Sequence, residues 1–265
     1  MSQTGAQTPL DRAHAAMEAD TGDDAARLRF FERLGDAELF LLLTEEARGE
    51  NLSPELFDLA DGRFVLAFDR EERLAAFTGR PAPYAALSGR VLAAMLAGQG
   101  VGLGLNLDVA PSAMLVPAEA LGWLAETLGH GPDQIEARIT EVTAPGGLPE
   151  VLLSALDAKL VTAAGLAQGA YLAGVVYQDG GRGHLLGFVD AREGAEPALA
   201  KAASEALTFS GIEAGAMDVG FFSAADPMAA TLSRVGLRFD LPEPPEPPRG
   251  PAAPGMDPDA PPRLK

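Results

Sequence analysis

Any side-chain chemistry in this 265-residue chain must be drawn from three histidines, scattered carboxylates and one loop rich in Asn, Asp and Ser. Cysteine is absent, which removes disulfides, thiol nucleophiles and thiolate metal sites together. Nucleophilic catalysis needs a Ser or Thr beside a base. His14, His130 (in a Gly-His-Gly-Pro run) and His184 have no such neighbour in sequence, and Ser88-Gly89 and Ser210-Gly211 lack the flanks of a G-x-S-x-G elbow. No H-x-x-x-H pair and no Asp-x-Asp-x-Asp-Gly loop is present, so neither a metal nor a cofactor is expected. The adjacent acids Asp23-Asp24, Glu45-Glu46 and Glu71-Glu72 suit helix N-termini or solvent. Gly100, Gly102 and Gly104 do not make a dinucleotide fingerprint, because they fall within a strand and Leu107 takes the third glycine's place. Glycines in a strand point to close packing. No catalytic residue is assigned.

The loop Asn106-Leu107-Asp108-Val109-Ala110-Pro111-Ser112 is the remaining candidate. Asn and Asp can bond their own turn backbone and Pro sets its exit, which is a structural use. The functional use is a recognition surface: Asn106, Asp108 and Ser112, beside the apolar Val109 and Met114, would bind a protein partner.

The loop needs a scaffold, and the pattern supplies one. Val101, Leu103 and Leu105 alternate with smaller residues at strand spacing, Met114 to Val116 resume an extended run, and Pro117 opens a helix over Ala118 to Leu128. Upstream, Leu10 to Ala19 forms a short helix in a flexible segment 1–22. Asp23 or Asp24 caps a helix that Gly35 stops. Glu38 to Leu43 is a strand, and Leu56–Ala60 and Phe64–Phe68 form a hairpin about Asp61-Gly62. Asp69 would cap a helix over Arg70–Phe77, and Ser88–Ala97 is a helix with Leu92, Met95 and Leu96 inward. Gln134 to Val142 alternates as a strand, and Ala144-Pro145-Gly146-Gly147 reads as a linker.

The second half mixes elements in the same way. Helices span Pro149–Leu160 and Glu196–Phe209. Gly169–Gln178 and His184–Asp190 form a hairpin, Ala216–Ser223 is a strand, Asp226 caps a helix, and Leu237–Asp240 is a short strand. Trp123, Tyr171, Tyr177, Phe221 and Phe222 serve cores or the contact between domains. The fold class is therefore α+β or α/β, with two mixed sheet-and-helix domains at 23–143 and 148–241. Ten prolines in the last 25 residues make 242–265 a disordered tail.

A net charge of −18, of which −12 lies in residues 1–145, argues against nucleic acid as a partner. No apolar run of spanning length exists, which argues against a membrane span. The N-terminus lacks the pattern of a signal peptide, so a cytoplasmic location is expected.

Phe30-Phe31, the Leu39–Leu43 strand, Glu72-Arg73-Leu74 after Phe68, and the GVGLGLN…MLVPAEALGWL block together resemble the SseB N-terminal domain. The later run through AYLAGVVY, HLLGFVD and VGFF resembles the SseB C-terminal domain. The resemblance spans about residues 25–240 and implies an α/β domain followed by a smaller α+β domain, with no transferable active site. Relatives continue the Asn106 position as Asn-Pro-Gly, whereas here Leu107-Asp108 follows. The function expected is non-catalytic binding of a protein partner. An enzyme with carboxylates such as Asp108 or Asp190 in an inter-domain cleft is one alternative, and an acidic chaperone-like or secretion-linked protein is another.

Overall fold

The computed structural model describes residues 7–47, 51–59, 62–129, 138–211 and 217–242. Asp61, His130, the strand expected from Gln134 as far as residue 137, and the proline-rich tail from 243 lie outside the described residues.

The first unit is a six-stranded sheet in the order β4-β1-β3-β5-β6, with β2 also on β3. Its strands are β1 (Glu38–Leu42), β2 (Leu56–Leu59), β3 (Gly62–Phe68), β4 (Tyr84–Ser88), β5 (Val101–Leu105) and β6 (Met114–Val116). Only β3 and β5 run parallel; the other pairs are antiparallel. Helices α1 (Pro9–Ala19), α2 (Asp24–Asp36), α4 (Gly89–Leu96) and α5 (Ala118–Gly129) cover one face, around Phe30, Leu39, Leu41, Val65 and Leu103. The short α3 (Glu71–Thr78) lies on the other, where Leu42, Leu66, Phe68 and Leu74 cluster.

The second unit has β7 (Ile139–Thr143), β8 (Gly169–Tyr177), β9 (Arg182–Val189), β10 (Met217–Phe222) and β11 (Leu237–Phe239). The order is β10-β9-β8-β11, with β7 also on β8, and only β9 and β10 are parallel. Helices α6 (Glu150–Leu160) and α7 (Glu196–Phe209) pack on one face and α8 (Pro227–Val235) on the other. Two mixed sheets with helices make the fold α+β, as the pattern implied.

Several boundaries differ from expectation for tertiary reasons. Helix α1 is no flexible segment: Leu10, Asp11, His14 and Met17 are buried, and His14 meets the Phe30 ring edge-on at 5.7 Å. Gly35 does not stop α2, which continues to Asp36, because Gly35 is buried against Leu128 of α5. Met95 faces outward, with Leu92, Ala93 and Leu96 taking the inner face. Strand β4, which periodicity missed, pairs with β1 along its whole length. Strand β7 bonds β8 and so belongs to the second sheet, not to the end of the first domain.

The glycines of β5 behave as expected. A Cβ on Gly102 would sit 2.4 Å from the Phe64 ring, and one on Gly104 would sit 2.5 Å from Leu66. The neighbouring strand's side chains lie across the glycines and fill the space a side chain would need.

Candidate functional site

Two constellations of buried polar groups exist among the described residues. The first is built around the loop 106–112 that follows β5. Thr8 caps α1: its hydroxyl accepts from the Asp11 N–H at 3.1 Å, and its own N–H donates to Asp11 Oδ2 at 2.9 Å, a reciprocal capping box. The Thr8 hydroxyl in turn donates to Asp69 Oδ2 at 2.6 Å. Arg73 forks between Asp69 (2.7 Å) and Asp11 (2.5 Å), and the Ser112 hydroxyl donates to Asp11 Oδ1 at 2.6 Å. Asn106 closes the ring. Its amide donates to Ser112 Oγ at 2.9 Å and its Oδ1 accepts from the Asp69 N–H at 3.0 Å. Burial acts to raise the Asp11 carboxyl, but Arg73, Ser112 and the Thr8 N–H outweigh it and hold it far below the usual carboxylate range.

Asn106 and Ser112 are therefore not a surface for a partner, as the sequence suggested. Both are fully buried and spend their polar atoms inside the molecule. Asn106 takes a left-handed φ of 49°, which its short amide tolerates. Asp108 alone of the three is exposed, at a φ of 60°. Asp69 is likewise no helix cap: α3 starts after Arg70 without a side-chain cap, and its first turn carries Glu71 and Glu72. The signals for this network were present as Thr8-x-x-Asp11 and Asp69-x-x-x-Arg73, a capping box and an i,i+4 pair. What sequence hides is that the two meet.

The second constellation lies where the units join. Gly89 lets α4 approach α2, since a Cβ there would fall 1.7 Å from the Leu34 carbonyl oxygen, and this places Arg90 beside Asp36. Helices α6 and α7 bring Lys159 and Glu205 from the second unit. The Lys159 ammonium lies 2.7 Å from Asp36, 2.7 Å from Glu205 and 3.8 Å from Glu32. Arg90 bridges Asp36 at 2.7 Å and Glu205 at 3.1 Å. Lys159, Glu32 and Glu205 are each at most 5% exposed. Burial pushes the Glu32 carboxyl up, with Lys159 and Arg33 pulling against it. Beside this cluster opens a cleft of about 220 Å³, whose lining includes Asp36, Arg90, Lys159, Thr162, Lys201 and Glu205.

Apolar contacts reinforce the joint. Phe209 at the end of α7 is fully buried in the first unit's core, and Trp123 meets Phe31 and Phe209 edge-on at 5.4 and 6.2 Å. Trp123 thus sits at the contact between units, although 39% of it remains exposed.

The acids proposed for an inter-domain cleft do not reach it. The Asp190 side chain accepts from the Ala224 N–H beyond β10, and Asp108 stands on the loop. Two other carboxylates line the cleft, the half-buried Asp36 and the buried Glu205, with buried Glu32 3.8 Å from Lys159 behind them, and no motif marks any of the three. Among the described residues no group of three His, Cys, Asp or Glu is arranged to hold a metal, and no helix is long and apolar enough to cross a membrane. His184 Nε2 lies 3.0 Å from the Gly146 carbonyl oxygen.

No curated protein and no solved structure matches the chain. Residues 10–123 match the family model described as SseB protein N-terminal domain. That span begins inside α1, which agrees with the burial of this helix in the first core. The first sheet and its helices are thus similar to an SseB N-terminal domain, the resemblance its sequence carries.

Proposed function

We propose that the protein acts by binding a protein partner rather than by catalysing a reaction. The observation that carries this reading is the state of its buried charges. Asp11, Glu32, Lys159 and Glu205 all lie within internal ion-pair networks. A general acid or base must be able to exchange a proton with a substrate, and groups held between fixed counter-charges are poorly placed to do so. What the surface offers instead is apolar: Val91 and Met95, one turn apart on the outer face of α4, are 44% and 40% exposed. Asp108 adds an exposed charge on the loop after β5.

The test is affinity capture from host extract with mass spectrometry, comparing wild type with Val91→Asp/Met95→Asp and with Asp108→Ala. Partners held by wild type should be lost by the α4 double variant while its circular dichroism is unchanged. An identical set of partners for all three proteins removes both surfaces from consideration.

A second reading, an enzyme using the inter-unit cleft, draws on the convergence of Glu32, Asp36 and Glu205 beside it. It requires one carboxylate to leave its cation during turnover. Any activity found should then vanish in Glu205→Gln protein that retains its fold.

A further inference from the structure

The cleft between the units has an unequal supply of spare polar capacity. Asp36 accepts from Arg90 on Oδ1 and from Lys159 on Oδ2, both at 2.7 Å. Glu205 accepts from Arg90 at 3.1 Å on Oε1, and its Oε2 lies 2.7 Å from Lys159. Both carboxylates of the cleft wall therefore have both oxygens engaged. Lys201 does not share this condition. It lies one turn before Glu205 on α7, lines the same cleft, and makes no ion pair with any described residue. Elsewhere in the wall Thr162 turns its hydroxyl to the Lys159 carbonyl oxygen at 2.6 Å, and Ala163, Leu166, Ala198 and Ala202 supply hydrocarbon.

The choice of residue is also informative. The chain has three lysines among its 20 basic residues, and two of them, Lys159 and Lys201, line this cleft. A lysine presents a compact ammonium that meets a single anionic group, whereas the arginine used elsewhere presents a planar fork. Lys159 uses that compactness to sit among three carboxylates. Lys201 keeps it free.

We propose that the cleft binds a small organic monoanion: a carboxylate with a short hydrocarbon chain, its head on the Lys201 ammonium and its chain along Ala163, Leu166, Ala198 and Ala202. A phosphate-type dianion fits less well. It would face Asp36 and Glu205 with one unpaired cation to offset them, and it would leave the apolar wall unused. The site is separate from the partner surfaces of α4 and the loop after β5, so it stands whether or not those surfaces bind a protein.

Isothermal titration calorimetry on the full chain with acetate, butyrate and hexanoate tests this, with butanol and inorganic phosphate as comparison ligands. Affinity should rise with chain length, approaching about fourfold per buried methylene. Butanol should bind more weakly than butyrate. Lys201→Ala should weaken butyrate at least about tenfold, the scale expected for a lost charge-assisted hydrogen bond, while Lys201→Arg retains most of the affinity. Lys201 is half-buried, so folding of the variants is checked by circular dichroism. Trp123, the chain's single tryptophan, gives a second readout through its contact with Phe209 on the same helix. No saturable binding of hexanoate, tighter binding of phosphate than of hexanoate, or unchanged affinity in Lys201→Ala each overturns the proposal.

Discussion

Lys159 and Asp36 are 123 residues apart in the chain, and their charged atoms lie 2.7 Å apart at the junction of the two units. Each belongs to a helix packed on a different sheet, so this pair exists only when both units are folded and docked. The cluster around it ties α2 and α4 of the first unit to α6 and α7 of the second. Removing its central cation should therefore report on the docking.

Lys159→Met leaves Glu32, Asp36 and Glu205 without their shared cation, with Arg90 still paired to Asp36 and Glu205. Breaking a buried pair by removing one partner costs about 3–5 kcal/mol. Urea unfolding should show a loss of that size, or separate transitions for the two units. A loss near zero would mean that apolar contacts such as Phe209 hold the units together unaided.

Glu32 sets the direction of a pH effect. Its carboxyl is raised by burial in the folded state. Such a group contributes stability that is fully present below its unfolded value of about 4.3, and this is lost as pH rises through the folded value. Glu32→Gln should remove that part of the decline, so the variant gains on wild type as pH goes from mildly acid to neutral. Thermal melts across that range check it, and a variant that falls further behind as pH rises would reverse the sign.

Asp11 works in the opposite sense. Its folded value is depressed, so its contribution is present above the unfolded value of about 3.9 and is lost as pH falls through the folded one. Ser112→Ala deletes one of the bonds that hold the carboxylate ionised. The acid-unfolding midpoint should move to higher pH. At neutral pH the cost should be about 1–3 kcal/mol, since the Asn106 amide also loses its acceptor.

Gly102→Ala tests the packing of β5. The added methyl would lie 2.4 Å from the Phe64 ring and 2.8 Å from the Val116 carbonyl oxygen. The backbone atom cannot turn aside, so overpacking should cost about 1–3 kcal/mol in denaturant unfolding. Gly122 has open space around it, and Gly122→Ala on the helix should be neutral or stabilising.

Local physics made much of the fold legible in sequence. The strand alternation of Val101–Leu105, the proline at 117, the cap at Asp226 and the span of α7 all act over a few residues, and they emerge in place. Where a remote contact overrode the local signal, the reading failed. Gly35 reads as a stop and is a buried helix position under Leu128. Strand β4 carries little alternation and forms because β1 offers it a partner along its full length.

The site divides along the same line. Sequence alone determined that cysteine chemistry is excluded and that the loop after β5 is polar and turning. Whether that loop faces outward was not determined, because the decision rests with Asp11 and Asp69. These lie 101 and 37 residues upstream of Ser112 and Asn106 respectively, and they capture them into the interior. The cleft with Lys159 and Lys201 was wholly a tertiary outcome. Its charges come from four helices of two units, and no spacing along the chain encodes a meeting that only docking creates.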